Sequence, residues 1–299
     1  MKLKQLITVP RIIGIILIVL AIIAYRMNRP IQSSLAALAG LALLLAPNKS
    51  AKERFKEFIT SFRLKTEYAW IMFIDATMYV ACALLFTALY AFTTRAVEKL
   101  QVINIGELLD TTTLSAYNEL LSSFFTSMII ALAVFYLLCI TLYTISRGII
   151  WPILLKKPIR WQFFLRFGLL NLLWCTVWAI VAGFFIAMMK LPIAAVALLI
   201  TSILLYTHLT TVLHYSYTKN LAFGKAISEA FSTGLGRIAS FIQPYCYILI
   251  IYTAISTIYT MISTLSAQKG MLLTAAFILF FAFMGWYRLY MRDTLRRLT

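Results

Sequence analysis

Asp75, Asn171 and His208 are the residues of this chain whose types and settings could carry chemistry. Each interrupts a long apolar run, and an ionisable group inside such a run is costly enough to be read first as functional. Asp75 is the one acid so placed, and it sits about 10 Å into its run at the helical rise. His208 lies roughly 13 Å from the end of another run, and Asn171 interrupts a third at a similar depth. Three polar groups from three helices could therefore meet in one layer. Histidine titrates near neutrality, so an Asp75–His208 pair could pass a proton. The same residues could equally form a satisfied hydrogen-bond cluster that fixes helix packing. His214, beside Tyr215 and Tyr217, is closer to the end of its run and reads as an interfacial residue.

Thr253, Ser256, Thr257, Thr260, Ser263 and Thr264 form a second polar pattern, recurring at three- and four-residue steps. That spacing gives one hydroxyl-bearing helix face, which could line a polar path or join neighbouring helices. Other chemistry finds no support. The chain has no HExxH, no GxSxG and no phosphate-loop pattern, and Gly224-Lys225 lacks the upstream glycine of such a loop. Two histidines without a nearby cysteine or acid cluster do not make a zinc set. Cys82, Cys139, Cys175 and Cys246 all fall inside apolar runs, where cysteine behaves as a small apolar residue. No catalytic residue, metal or cofactor is assigned, and an enzyme acting within the bilayer is the least favoured class.

The elements that position these residues follow from composition. Of the 299 residues 62% are hydrophobic and 12% charged, and mean hydropathy is +0.90. A soluble domain would be roughly 45–50% apolar and about one quarter charged. The apolar residues come in blocks near the length of one bilayer crossing, and they do not alternate as barrel strands do. Backbone in lipid must be satisfied internally, so the blocks are helices. The fold class is therefore all-α: a polytopic integral membrane bundle of eight helices. The runs are Leu6–Tyr25, Ile31–Ala46, Tyr68–Phe92, Phe124–Ile145, Phe164–Met189, Leu191–Ser216, Phe241–Leu265 and Met271–Tyr287. The whole chain, 1–299, reads as one membrane domain with halves 1–145 and 146–299. A polar segment, 93–123, forms an outer, partly helical cap.

Orientation follows from the basic residues. Of the 27 lysines and arginines, Arg26, Arg29, Arg95, Lys99, Lys190 and Lys269 fall on one side of this topology and the remaining 21 on the side of the N-terminus. Cytoplasmic loops carry the basic excess, which puts both termini on the cytoplasmic side of a cell membrane. The same bias accounts for the net charge of +17 without nucleic acid.

Two inner segments have the pattern of surface helices. Ser50-Ala51-Lys52-Glu53 is a capping box, and Phe55, Phe58, Ile59 and Phe62 then fall on one face. Lys52, Arg54, Lys56, Arg63 and Lys65 lie mostly off that face, an arrangement suited to the anionic inner leaflet of a bilayer. Docking onto the protein's own inner face is the competing reading. Phe223, Ile227, Ala230, Phe231, Leu235 and Ile238 repeat the pattern with fewer charges, and there docking is favoured.

Two functional classes fit. The first is a non-enzymatic scaffold or channel-forming component that associates with other membrane subunits. The second is a small-solute or proton-coupled transporter using Asp75 and His208. The glycines and prolines do not break helices at mid-membrane, as many transporters require.

Overall fold

The computed structural model describes residue 18 and residues 58–62, 66–101, 111–188, 192–265 and 269–299. The first two predicted spans, apart from Ile18, lie outside the described residues, as do Lys52, Arg54, Lys56, Arg63 and Lys65. Among the described residues the chain is helical, with no strand. After a helical turn at residues 58–61, seven longer helices follow: α1 Thr66–Gln101, α2 Thr111–Leu155, α3 Trp161–Met188, α4 Pro192–Asn220, α5 Phe223–Gly234, α6 Ile238–Leu265 and α7 Lys269–Leu298. Five of these contain stretches long and apolar enough to cross a membrane: Thr66–Glu98, Tyr117–Leu155, Trp161–Phe184, Ile238–Thr257 and Thr274–Leu298. This is the architecture of a membrane protein.

The helices run past the apolar blocks that nucleate them. α1 continues nine residues beyond Phe92, and α2 begins at Thr111, so much of the 93–123 segment is helical. At its other end α2 passes Ile145, where the apolar run was expected to stop, and reaches Leu155. The reason is local. From Thr93 to Gln101 there is neither glycine nor proline to stop a helix. After Arg147 the residues Ile149, Ile150 and Trp151 are again apolar. Two helices end on residues in the left-handed conformation, Lys156 after α2 and Leu221 after α4, with φ of 54° and 57°. Pro192 opens α4, where its missing N–H costs no hydrogen bond.

The described helices gather into two compact units interleaved along the chain: 1–73 with 153–157 and 201–299, and 74–152 with 158–200. The first unit is centred on Phe58, Cys246, Tyr247, Trp286 and Tyr290, all buried. Phe58 stacks on Tyr247 with ring centroids 4.6 Å apart, and Trp286 stacks on Tyr290 at 5.4 Å. The Trp286 indole N–H donates to Ser61 Oγ at 2.8 Å, and Tyr68 Oη donates to the Ala282 carbonyl. Phe58 thus belongs to the core, while Ile59 and Phe62 stay 52% and 45% exposed. The described end of the first surface segment is docked on the protein.

α5 is docked too, on a face that overlaps the predicted one at Ala230. Ala226, Ala230, Thr233 and Gly234 are buried, whereas Phe231, Leu235 and Ile238 are exposed. Small residues let the α5 backbone approach α4 closely: a Cβ built on Gly234 would come within 2.6 Å of Leu209 Cδ2. The contact is locked by polar bonds. Ser216 Oγ donates to Glu229 Oε2 at 2.6 Å, and the Asn220 side-chain amide reaches both Glu229 oxygens at 3.4 Å.

In the second unit α2 and α3 pack through aromatic rings and a glycine. Gly148 leaves room for Phe164, whose ring would lie 2.7 Å from an added Cβ. Phe163 and Phe167 stack on each other at 5.2 Å, and Phe167 and Leu170 are fully buried. α1 joins this unit from residue 74 onward, with Phe86 edge-on to Phe135 of α2 at 4.8 Å.

Candidate functional site

Asp75, Asn171 and His208 are each buried, and each has a partner within its own unit. In the second unit, Asp75 of α1 is fully buried and accepts a hydrogen bond from Arg147 Nη1 of α2 at 2.6 Å. The Arg147 side chain is itself only 5% exposed. Its guanidinium carbon lies 5.0 Å from the centre of the Tyr143 ring, one turn earlier on the same helix. That distance is within the range of cation–π attraction. Thr144 sits beside Tyr143 and takes a hydrogen bond from Asn171 Nδ2 of α3 at 3.2 Å. Two turns further along, Tyr136 Oη and Thr176 Oγ1 meet at 2.9 Å. α2 therefore carries the polar seam of this unit: Arg147 toward α1, and Thr144 and Tyr136 toward α3.

Charge inside a helical bundle is tolerated when it is paired, because desolvating a lone ion costs several kcal/mol on the order found for buried groups in general. The Asp75–Arg147 bond is short, charge-assisted and shielded from solvent, which makes it strong and directional. A proton arriving at Asp75 would weaken its hold on Arg147. The geometry is that of an electrostatic clasp between α1 and α2.

In the first unit His208 of α4 uses both ring nitrogens. Nε2 lies 2.9 Å from the Gly234 carbonyl and Nδ1 lies 2.6 Å from Tyr245 Oη of α6. A carbonyl can only accept, so Nε2 carries a proton; in the neutral ring Nδ1 then accepts from the Tyr245 hydroxyl. The ring also lies edge-on to Phe241 at 4.7 Å. Gly234 is the last residue of α5, and terminal helix carbonyls lack intrahelical partners. His208 satisfies one of them. It ties the end of α5 to α4 and, through Tyr245, to α6.

Asp75 is held by Arg147, and His208 by Tyr245 and Gly234. His214 is packed inside the protein. It is 1% exposed, between the similarly buried Tyr215 and Leu213. On the hydroxyl face of α6, Thr260 Oγ1 donates back to the Ser256 carbonyl of its own helix at 2.8 Å. None of the four cysteines is in a disulfide.

Sequence reasoning missed Arg147, which was counted among the charges of an inner loop. The apolar Ile149–Trp151 stretch after it was the available signal, because an arginine flanked by apolar residues on both sides lies inside a helix rather than after one. Tyr245 and Glu229 carried no such signal. Their roles come from residues distant in sequence.

No protein-family model matches this sequence, and no curated protein or solved structure is similar to it.

Proposed function

We propose that this chain is a non-enzymatic scaffold or channel-forming component of a membrane assembly. One observation carries the reading: the intramembrane groups best suited to moving a proton are committed to packing bonds. Asp75 clasps Arg147, and His208 is held at both nitrogens by Tyr245 and the end of α5. Proton-coupled transport needs at least one such group to exchange partners. The apolar helices meanwhile present extensive uncovered surface, with Phe125, Ile129, Ile130 and Leu137 of α2 all exposed. Lipid or neighbouring subunits cover such faces in a bilayer.

The accompanying topology is eight spans in a cell membrane with both termini cytoplasmic, supported by the 21 basic residues on one side of the chain. The basic segment with Lys52, Arg54, Lys56, Arg63 and Lys65 then faces the anionic inner leaflet.

The test is the mass and composition of the particle after gentle detergent extraction, together with pH-dependent uptake into vesicles. The expected result is reproducible co-purification of other membrane subunits. Asp75→Asn and His208→Ala should then change stability without removing a pH-dependent flux. Recovery of the chain alone, with a solute flux abolished by either substitution in a folded protein, would replace this reading by the transporter. Cysteines placed at Ser50 and Ser115 of a cysteine-free background should label from opposite sides of the membrane; labelling from one side would discard the eight-span topology.

A further inference from the structure

A cavity of about 690 Å³ opens in the first unit where several helices end. Its volume falls within the roughly 300–1,000 Å³ typical of small-molecule sites. Lys156, Lys157, Lys219, Arg292 and Arg296 line it, with Glu67 as the acid in the wall. These cations come from three places far apart in sequence: the turn after α2, the end of α4 and the end of α7. The fold, and not a basic run in the chain, brings them together.

Their settings differ in a useful way. Arg292 is anchored. It pairs with Glu67 at 3.8 Å and with Asp293 at 2.7 Å, and Nη1 donates to the Leu154 carbonyl at 3.4 Å. Lys219 donates to Thr299 Oγ1 at 3.2 Å and lies over the Tyr215 ring. Lys156 adopts the left-handed backbone that stops α2. No described acid is paired with Lys156, Lys157, Lys219 or Arg296, and all four are exposed. Like charges around one cavity repel unless an anion lies among them.

We propose that this cavity binds a phosphate-bearing anion. Several ammonium groups and an anchored guanidinium suit the charge and the multiple acceptor oxygens of a phosphate. The location suits it as well. Three of the stretches able to cross a membrane begin or end beside the cavity, at Thr66, Leu155 and Leu298. Helices that cross a bilayer end near its headgroups, so an opening at these ends suits a headgroup phosphate. The phosphate comes either from an anionic phospholipid or from a soluble molecule, and the two sources are separable.

The test uses the full chain in neutral detergent, with bound molecules counted by native mass spectrometry. Dioleoylphosphatidylglycerol, dioleoylphosphatidylcholine and inorganic pyrophosphate are the probes. Lys157→Gln, Lys219→Gln and Arg296→Gln combined remove three exposed cavity cations. Arg160→Gln, Arg166→Gln and Lys225→Gln combined remove the same charge elsewhere on the exposed surface. The expected result is that an anionic probe, lipid or pyrophosphate, binds more tightly than the zwitterionic lipid. Its affinity should fall at least about tenfold in the cavity variant, since three cations beside the anion are removed, and stay unchanged in the control. Lipid retained against excess pyrophosphate identifies a headgroup site, and lipid displaced by pyrophosphate identifies a soluble-phosphate site. Equal losses in both variants, no loss in the cavity variant, or no binding of either anion would overturn the proposal. So would a lower melting temperature with unchanged binding, because the cations would then serve only the helix carboxyl ends. If the triple variant fails to fold, Lys157→Glu alone, at an exposed position outside the helices, should give the same loss of anion binding.

Discussion

Replacing Arg147 by methionine isolates the clasp between α1 and α2. Methionine keeps an unbranched chain of similar length and removes the charge. Asp75 would remain fully buried with its principal counter-ion gone. Breaking a buried pair by removing one partner costs about 3–5 kcal/mol, most of it the price of the unpaired ion. The lost contact over Tyr143 adds about 0.5–1 kcal/mol. The expected destabilisation of Arg147→Met is therefore about 3.5–6 kcal/mol. Adding Asp75→Leu removes the stranded carboxylate. Apolar replacements of whole buried pairs are often neutral, so the double variant should recover most of the loss. Unfolding in mixed micelles titrated with a denaturing detergent measures both free energies, and size-exclusion chromatography of the extracted particle reads assembly. A single variant within about 0.5 kcal/mol of the parent would refute the buried clasp, since changes of that size are typical of plain surface sites. A double variant as unstable as the single one would refute the claim that the stranded charge carries the penalty. The double variant should still co-purify with the same subunits if the pair serves packing alone.

Two further outcomes follow from the close contacts of the first unit. Gly234→Val should destabilise the α5 contact by about 1–3 kcal/mol, the usual range for overpacking, because its Cβ would lie 2.6 Å from Leu209 Cδ2 and also meet Val212; hydrogen exchange should quicken across residues 226–237 before it does in α2 or α3. Phe58→Ala should cost about 3–5 kcal/mol as a large-to-small core change and shift Trp286 fluorescence to the red, since the Phe58 ring lies 6.0 Å from that indole; an unchanged emission spectrum would mean that the first surface segment is not seated there.

Much of the architecture was legible before folding was considered. The apolar runs predicted from Tyr68 to Tyr287 each coincide with a helix among the described residues, because length and hydropathy are local properties and lipid admits few alternatives. Helix ends were less legible. Hydropathy marks where a helix meets water, while the hydrogen-bond ladder stops only at a residue that breaks it, so α1 and α2 outrun their apolar blocks. The docked face of α5 was misjudged for a related reason. Periodicity placed the bulky Phe231 and Leu235 beside Ala230 on the buried side, yet close helix approach selects small residues, Ala226 and Gly234 with Ala230.

The sequence by itself determined that Asp75, Asn171 and His208 had to be satisfied, because each is a polar group in an apolar helix and cannot stay unpaired in lipid. It could not determine by whom. Arg147 is 72 positions from Asp75, and Tyr245 is 37 from His208. The same holds for the basic cavity, whose cations come from three separate helix ends and are unremarkable within the chain. Which polar groups meet depends on how helices are paired and rotated, and that is decided by tertiary packing of rings and small residues such as Gly148 and Gly234 rather than by any local pattern.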